Sequence, residues 1–344
     1  MDCYHGVSDP LGATVSPLNF IKAIVGSAAW AGLLAGLASA NAQELKVWRH
    51  GIVEAKSDAG IVFMGSKGGF AGKQGLKIEI RQFKGDTLAL KALLADELDS
   101  YEGNPGSPMI AASRGADIKL IGCYWPGLTY AIFSRAGVNS VAELKGKTFA
   151  ISAPGSLPDL FARAVLAQNN LTADDVKFAI MGGDADRFKA LMAGVVDAAA
   201  ASSGLAPAAE KVGLKMLVHA ADTVPNYVRL CMYSTSKTLA ARTDDSIHFL
   251  AAEMAGFRYA LANRDQTLAL TREITSAKPD NPEPAFMYDE VKRLSAVDPE
   301  MAIPMSKLAW MRDLLTKTGN LTKPVDLDTF IDGKSRAMAL QIVK

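Results

Sequence analysis

A segment that occurs twice constrains the fold of this chain more than any other feature. The sequence GDTLALKALLADELDSYEG begins at Gly85, and GDADRFKALMAGVVDAAAA begins at Gly183, 98 positions later. Seven of the 19 aligned positions are identical, including an aspartate near the start and another near the end of each copy. Each copy follows a short strand-like run, Lys77–Ile80 in the first and Lys177–Ile180 in the second. A strand, a helix and a second strand are therefore used twice, which predicts two lobes of similar topology. The alternative is a chance match between two amphipathic helices.

Strand and helix signals alternate along the whole chain. This alternation predicts an α/β fold in which each lobe is a mixed, mostly parallel sheet flanked by helices. Tyr130–Ser134 is predicted to cross from the first lobe to the second, and Tyr227–Ser234 to return. The predicted divisions are residues 43–130 for the first part of lobe one, 131–228 for lobe two, and 229–344 for the return to lobe one and the C-terminal helices. Two lobes joined by such hinge crossovers form a cleft, and clefts between domains commonly bind small ligands.

The N-terminal segment predicts export. Lys22 precedes an uncharged run, Ala23–Ala38, and a small-x-small sequence follows at Ala40–Ala42. A positive residue, a short apolar core and a small-residue cleavage site are the parts of a secretory signal peptide, and here they predict a signal peptide over residues 1–42. The run is shorter than the roughly 20 apolar residues that span a membrane. We therefore expect a periplasmic protein.

Net charge and cysteine content further limit the classes of protein to which this chain can belong. The 344 residues carry 37 Lys and Arg against 36 Asp and Glu, which gives a formal net charge of +1. This balance does not indicate nucleic-acid binding, and no second apolar run is long enough to span a membrane. Cys123 and Cys231 are the two cysteines that follow the signal peptide. Because both have apolar neighbours, they are interpreted as independent core residues, although export permits a disulfide as the alternative.

Two predicted helix starts share the sequence Pro-Gly-Ser. In the first, Ser107 is predicted to cap a helix whose first turn begins with proline; in the second, Ser156 and Asp159 have the spacing of a capping box. The unpaired N–H groups and the positive dipole end of a helix start suit an anion or a polar ligand oxygen. The glycines Gly106 and Gly155 would let such a ligand approach the backbone closely. Ordinary helix capping is the alternative interpretation.

Several segments resemble motifs of extracytoplasmic solute-binding proteins. The segment Glu143–Ser156, ELKGKTFAISAPGS, is similar to their DLKGKKIAVxxxGS motif. Gly69–Ile80, both repeat copies and Ala111–Lys119 resemble further motifs, so that the resemblance spans about residues 47–218. The most similar group is the sulfonate, nitrate, taurine and NMT1/THI5-like branch. The resemblance implies a type II periplasmic-binding-protein fold that closes on a solute by hinge motion.

The same resemblance implies the partners of the protein. They are a small-molecule solute, an ABC permease and the ATPase of that permease. A monomer is expected, with membrane contact only through the permease, without nucleic acid and without a metal or other cofactor.

By position, the resemblance places thirteen candidate ligand-binding residues around the cleft. Those of lobe one are Glu54, Tyr101, Glu102, Gly106 and Ser107. Those of lobe two are Ser152, Gly155, Ser156, Ser202 and Ser203. Those near the crossovers are Trp125, Tyr227 and Arg229. Trp125 could stack on a planar ligand or pack the hinge, and Arg229 could clamp a carboxylate or pair with an acid between the lobes. Tyr227 is open between a ligand contact and a structural role.

Catalysis has little support in the sequence. The four histidines are scattered, and the familiar zinc-protease, nucleophile-elbow and phosphate-loop motifs are missing. We therefore expect a protein that is not an enzyme and that captures a small organic anion or a heteroaromatic compound. Glu102 would oppose an anionic ligand. The alternatives are a sulfonate, taurine or nitrate binder of the same class, a periplasmic enzyme, and a sensor-coupled binding module.

Overall fold

A computed structural model describes residues 44–344 of the chain. The predicted signal peptide lies outside these residues. The strands found within them are β1 Lys46–Val53, β2 Leu76–Phe83, β3 Ser100–Gly103, β4 Lys119–Trp125, β5 Tyr130–Ser134, β6 Thr148–Ile151, β7 Lys177–Ile180, β8 Ala198–Ser202, β9 Lys215–His219 and β10 Leu230–Ser234.

Helices flank the strands and fill the C-terminal third. Those of the same residues are α1 Ala59–Val62, α2 Met64–Lys67, α3 Phe70–Lys73, α4 Asp86–Leu94, α5 Gly106–Ser113, α6 Leu157–Gln168, α7 Asp184–Met192, α8 Ala206–Lys211, α9 Ala220–Thr223, α10 Ser236–Ala241, α11 Thr243–Ala262, α12 Arg264–Thr275, α13 Glu283–Leu294, α14 Met305–Lys317, α15 Leu327–Phe330 and α16 Lys334–Ile342. Over residues 44–344, none of these helices combines the length and the apolar character that crossing a membrane requires.

The strands form two five-stranded sheets with the same topology. The first has the order β2-β1-β3-β10-β4, and the second has the order β7-β6-β8-β5-β9. In each sheet the strand that arrives by a crossover, β10 or β5, runs antiparallel to both its neighbours. The strand in the second place of each order, β1 or β6, pairs in parallel with its two neighbours. We call the first sheet with its helices lobe one, and the second sheet with its helices lobe two. The predicted fold class, a two-lobed α/β protein with mixed sheets and hinge crossovers, is confirmed.

The repeated aspartate at the end of the match has the same role in both lobes. Asp99 accepts a hydrogen bond from the backbone N–H of Arg49 in β1 at 2.7 Å, and Asp197 accepts one from Thr148 in β6 at 2.8 Å. The backbone N–H of each aspartate bonds in return to the carbonyl of the same residue, at 2.8 and 2.9 Å. These bonds connect the end of the first repeat copy to β1 and the end of the second copy to β6. The repeat is therefore a duplicated strand–helix–strand unit, as predicted.

Burial explains which segments become strands and helices. Every residue of β5 is buried, and β8 is a run of small residues that is buried throughout at the centre of lobe two. In lobe one, α11 lies against the sheet, and the ring of Phe257 stacks on that of Tyr124 with centroids 4.5 Å apart. Fully burying one such side chain contributes on the order of 1.5–3 kcal/mol. The apolar face of α11, which includes Phe249 and Met254, therefore anchors the C-terminal helices to lobe one.

The C-terminal helices also contact lobe two. Glu290 of α13 accepts hydrogen bonds from Ser203 and His219, both in lobe two. Helix α14 packs against α5 of lobe one and α6 of lobe two. The C-terminal region therefore bridges the two lobes in addition to the crossover strands.

The interpretation of the cysteines as independent core residues is wrong. Cys123 in β4 and Cys231 in β10 form a disulfide. The two residues are 108 positions apart in sequence, but β4 and β10 are neighbours in the first sheet. The pairing depends on which strands lie side by side, and the apolar residues that flank each cysteine carry no information about that. The disulfide fastens the strand of the return crossover to lobe one.

Candidate functional site

A cavity lies between the two lobes, at the carboxyl ends of strands from both sheets. It contains about 780 Å³ of space between atoms, part of it open to solvent. Residues at the ends of β1, β2 and β3 reach it from lobe one, and residues after β6 and β7 reach it from lobe two. This is the place where open α/β sheets bind ligands. The charged residues that line the cavity are Glu54, Lys56, Asp58, Asp86, Glu102, Asp184, Arg187 and Arg229.

Five of the thirteen predicted residues line this cavity. Lobe one contributes Glu54 and Glu102, lobe two contributes Ser152 and Ser156, and the return crossover contributes Arg229. The structure therefore brings together predicted residues from both lobes and from the hinge. The remaining eight lie outside the lining.

Internal contacts account for several of these eight residues. Tyr101 is buried in β3, where its ring stacks on that of another buried tyrosine. Ser203 donates its hydrogen bond to α13, and Ser202 borders a second cavity between lobe two and the C-terminal helices. Tyr227 is buried, and its hydroxyl donates to the carbonyl of Leu157 at 3.4 Å. Of the two roles left open for Tyr227, the structure shows the structural one.

The two Pro-Gly-Ser helix starts meet across the cleft. A Cβ on Gly106 would lie 2.5 Å from the carbonyl oxygen of Gly155. The predicted cap at Ser107 is wrong, because α5 begins at Gly106, two residues earlier than predicted, with Pro105 at the N-cap and Ser107 in its first turn. Ser156 is the N-cap of α6 as predicted, but the capping box is not formed, because Asp159 accepts instead from the N–H of Gly155 at 2.7 Å. Of these two starts, only that of α6 faces the cavity.

An ionic cluster around Asp184 forms the lobe-two wall of the cavity. Asp184 begins α7 and pairs with Arg187 of the same helix and with Lys56 of lobe one, the latter at 2.9 Å. Tyr130 donates a hydrogen bond to it as well, and Arg187 donates to the hydroxyl of Ser152 at 2.5 Å. Burial opposes the ionisation of Asp184, but Lys56 and Arg187 outweigh it and hold its pKa well below the usual value. The Lys56–Asp184 pair is an ionic bridge between the lobes.

Arg229 is held at the hinge by three contacts. Its guanidinium pairs with Asp58 of lobe one, donates to the hydroxyl of Thr129 at 3.1 Å, and lies over the ring of Trp125, 4.1 Å from the ring centroid. Of the alternatives left open for Arg229, the structure shows the pairing with an acid. Trp125 packs beneath the guanidinium and is fully buried, which is the hinge-packing alternative.

Glu102 at the floor of the cavity and Glu253 behind it both have raised pKa values. Burial raises the pKa of Glu102 to about 8, although the hydrogen bond from the Tyr124 hydroxyl acts in the opposite direction. Behind it, burial and the nearby Glu102 raise the pKa of Glu253 in α11 well above its usual value. Both carboxyl oxygens of Glu253 are buried and have no hydrogen-bond partner within residues 44–344. We therefore expect the carboxyl of Glu102 to be mostly protonated, and thus neutral, at pH 7.

Asp86 occupies the position in lobe one that Asp184 occupies in lobe two. Both its carboxyl oxygens are buried and lack a hydrogen-bond partner in the described part of the chain. Burial raises the pKa of Asp86 to about 7, and the Ser107 side chain partly offsets this rise. Gly103 at the end of β3 makes room for the carboxyl, since a Cβ there would lie 1.9 Å from its Oδ1. Lobe one thus presents at the cavity an acid that has no cationic partner within residues 44–344.

Sequence reasoning missed most of the charged lining. Asp86 and Asp184 were visible in the repeat as the second residue of each copy, and identity at that position was a usable signal. The other missed residues belong to no recognised motif, because their roles depend on contacts between distant segments. The missed residues discussed above are Lys56, Asp58, Asp86, Tyr130, Asp184 and Arg187.

The described lining of the cavity contains hydroxyls, carboxyls and cations, and it contains no cysteine or histidine. Within residues 44–344 no group of three or more His, Cys, Asp or Glu residues is arranged to hold a metal ion. The two cysteines of this region are joined in the disulfide. His50 bonds the Ser100 hydroxyl at 2.7 Å, and His219 bonds α13, so neither lines the cavity. Carboxyls, paired cations, hydroxyls and one helix start remain, and all of these can bind a polar solute.

Comparison with known sequences identifies a family. A family profile described as NMT1/THI5 like matches residues 56–267, which is more than half of the chain. No curated protein sequence matches the chain.

Solved structures share the fold. The alkanesulfonate-binding protein SsuA from Xanthomonas axonopodis pv. citri, bound to MOPS, is 18% identical with a TM-score of 0.71 over 84% of this chain and 99% of that one. The periplasmic aliphatic sulphonate binding protein SsuA from Escherichia coli is 20% identical with a TM-score of 0.67, over 83% and 92%. The desulfurization enzyme DSZB is 17% identical with a TM-score of 0.63, over 87% and 100%. At these identities the likeness establishes the fold, which binding proteins and an enzyme share.

Proposed function

Because this chain belongs to the NMT1/THI5-like family, we propose that it is the solute-binding protein of an ABC importer and captures a small organic solute between its lobes. The observation that carries the proposal is the cavity at the strand ends of both sheets, lined by side chains from both lobes and the hinge. Residues 1–42 are proposed to direct export to the periplasm. The proposed partners are an ABC permease and its ATPase, and the protein acts as a monomer without a catalytic step.

Capture is proposed to work by closure of the lobes around the solute. The crossover strands β5 and β10 allow a hinge movement, while Lys56 and Asp184 meet across the cleft at 2.9 Å. A solute that contacts both lobes binds the closed form more tightly and shifts the population toward it. The permease would then recognise the closed form, in which the two lobes have a fixed relative position.

The solute contacts proposed from the lining are those of the five predicted residues in the cavity: Glu54, Glu102, Ser152, Ser156 and Arg229. Every cation of the lining already has a carboxylate partner, because Lys56 and Arg187 pair with Asp184 and Arg229 pairs with Asp58. An anionic solute would have to compete with these carboxylates. Of the solute classes expected from the sequence, the cavity therefore favours a heteroaromatic compound over a simple organic anion. A sulfonate, which the names of the two SsuA proteins suggest, is the alternative.

The proposal is tested by a thermal-shift screen of the protein from Gln43 onward, followed by calorimetric titration of each hit. The panel contains heteroaromatic compounds, amines, carboxylates, sulfonates and nitrate. A ligand that binds only the folded state raises the melting temperature by mass action. We expect a hit that titrates one to one and is recovered unchanged after prolonged incubation. Conversion of the hit into a product would contradict the proposal and establish an enzyme.

A pair of glutamate variants locates the binding site. Glu54 lines the cavity, whereas Glu210 lies on an exposed face of α8. Glu54→Ala is expected to change the dissociation constant of the hit several-fold, and Glu210→Ala is expected to leave it unchanged. Equal affinities in the wild type and both variants would place the solute elsewhere.

A further inference from the structure

The duplicated unit provides an internal comparison between two aspartates in the same position of the fold. Asp184 begins α7 of lobe two and has Lys56 and Arg187 as ionic partners. Asp86 begins α4 of lobe one, at the aligned position of the repeat. The residue of α4 that aligns with Arg187 is Ala89, which is completely buried. Lobe one therefore lacks, at the equivalent place, the cation that neutralises the aspartate of lobe two.

The carboxyl of Asp86 also has no cation as a partner within residues 44–344, and the Ser107 side chain only partly offsets the rise in its pKa. Neither oxygen has a hydrogen-bond partner within the described chain, although both are buried and the residue lines the cavity. Burying a carboxyl without a partner is costly, and native proteins rarely keep such a group without a reason. The cations of the lining cannot supply the missing partner, since each is engaged by another carboxylate.

We infer that Asp86 accepts a hydrogen bond from a nitrogen of the solute that bears N–H groups, as in an amine, an amidine or an amino-substituted heteroaromatic ring. This inference rests on the proposed function and names the solute class of the same cavity. The solute nitrogen takes the place in lobe one that the Arg187 guanidinium has in lobe two. A hydrogen bond between an ionised carboxylate and a cationic donor is about twice as strong as a neutral one, so this contact selects against anions of the same size.

Other cavity groups suit the same class of solute. The carboxylate of Glu54 has neither a side-chain hydrogen bond nor an ion-pair partner within residues 44–344. It lies against Gly183 of lobe two, and a Cβ added to Gly183 would be 2.5 Å from the Oε2 atom of Glu54. Glu102 lies at the end of β3, on the same side of the cavity as Asp86 and Gly103. Lobe one therefore presents acids to the cavity, whereas the cations of the lining are bound to acids of their own.

The test compares small molecules of similar size, of which some carry N–H donors and the others are anions. Butylamine and 4-aminopyridine carry N–H donors, and butanesulfonate and pyridine-4-carboxylate are their anionic counterparts. Binding of each at millimolar concentration is measured by thermal shift and calorimetry for the wild type, Asp86→Asn and the control Asp244→Asn, which alters an exposed acid of α11. We expect the amines alone to bind the wild type and the control, and Asp86→Asn to weaken their binding about tenfold or more. Asp86→Ser serves as a second variant if the first does not fold.

Each other outcome is decisive. Binding of the anions without the amines would overturn the inference while leaving the proposed function in place. Amine binding that is unchanged in both Asp86 variants would also overturn it, because the donor would then be recognised elsewhere. If no probe binds to folded wild-type protein, the inference fails and the proposed function loses support as well.

Discussion

Replacing Gly106 with alanine should hold the two lobes apart. Gly106 of α5 lies against lobe two, and an added Cβ would be 2.5 Å from the backbone oxygen of Gly155 and 2.8 Å from the side chain of Leu160. The Leu160 side chain can rotate away, but the Gly155 carbonyl moves only with its lobe. An ordinary contact distance begins near 3.4 Å, so the facing segments would have to separate by about 0.9 Å.

The cost of this substitution falls mainly on the closed form. Overpacking by one methyl group typically costs about 1–3 kcal/mol, and the cross-cleft part of that cost disappears when the lobes open. A difference of this size between two conformations changes ligand affinity by about 5- to 150-fold. We therefore expect Gly106→Ala to weaken solute binding by that factor while the free energy of unfolding of the unliganded protein changes much less.

The assay combines calorimetric titration of the first solute found in the screen with small-angle scattering of the free and bound protein. Gly72→Ala is the matched control, because Gly72 also lies in a short helix of lobe one and a Cβ there has no atom within 4 Å. Gly183→Ala should weaken solute binding less than Gly106→Ala does, because the atom that an added Cβ would meet across the cleft is the flexible end of Glu54. A Gly106→Ala protein that binds within twofold of the wild type and reaches the same bound dimensions would refute the reasoning.

Three further predictions concern the ion pair, the disulfide and pH. Lys56→Met removes the ionic bridge to Asp184 and should reduce the closed fraction seen by scattering; no change would show that the bridge does not favour closure. Reducing the disulfide, which spans 108 positions, should lower the free energy of unfolding by about 2–5 kcal/mol in denaturant titrations, and an unchanged midpoint would contradict this. Because burial raises the pKa of Glu102 from its ordinary value of 4.5 to about 8, the free energy of unfolding should fall as pH rises between these values. That slope should be smaller in Glu102→Gln, and equal slopes would refute it.

The sequence carried enough information to predict the architecture because the strands depend on local patterns. Tyr130–Ser134, predicted as the first crossover, is β5, and it is recognisable because a strand buried on both faces is a continuous apolar run. Tyr227–Ser234, predicted as the return, contains β10. The repeat showed that one strand–helix–strand unit occurs twice, and both sheets have the same strand order.

Side-chain partners could not be predicted in the same way. Whether Cys123 pairs with Cys231 depends on β10 returning to lie beside β4, and the return crossover alone does not give the strand order. Arg229 was recognised as a hinge residue, but its partner Asp58 lies 171 positions away in a segment without a motif. The predicted cap at Ser107 was wrong by two positions because a proline already occupies the N-cap of α5. Each of these features depends on which segments lie against each other in the fold, and local sequence patterns do not describe such contacts.

The differences between the two copies of the repeat are more informative about the ligand than their identities. The identical residues that can be followed in both lobes hold the sheets together, as Asp99 does through β1 and Asp197 does through β6. Asp86 and Asp184 are also identical, yet one has a raised pKa and the other a lowered one. Two cations account for the difference, because Asp184 pairs with Lys56 and with Arg187, whereas alanine stands in α4 at the position of Arg187. A resemblance built on shared motifs therefore predicts the scaffold, whereas the ligand must be inferred from the residues that the copies do not share.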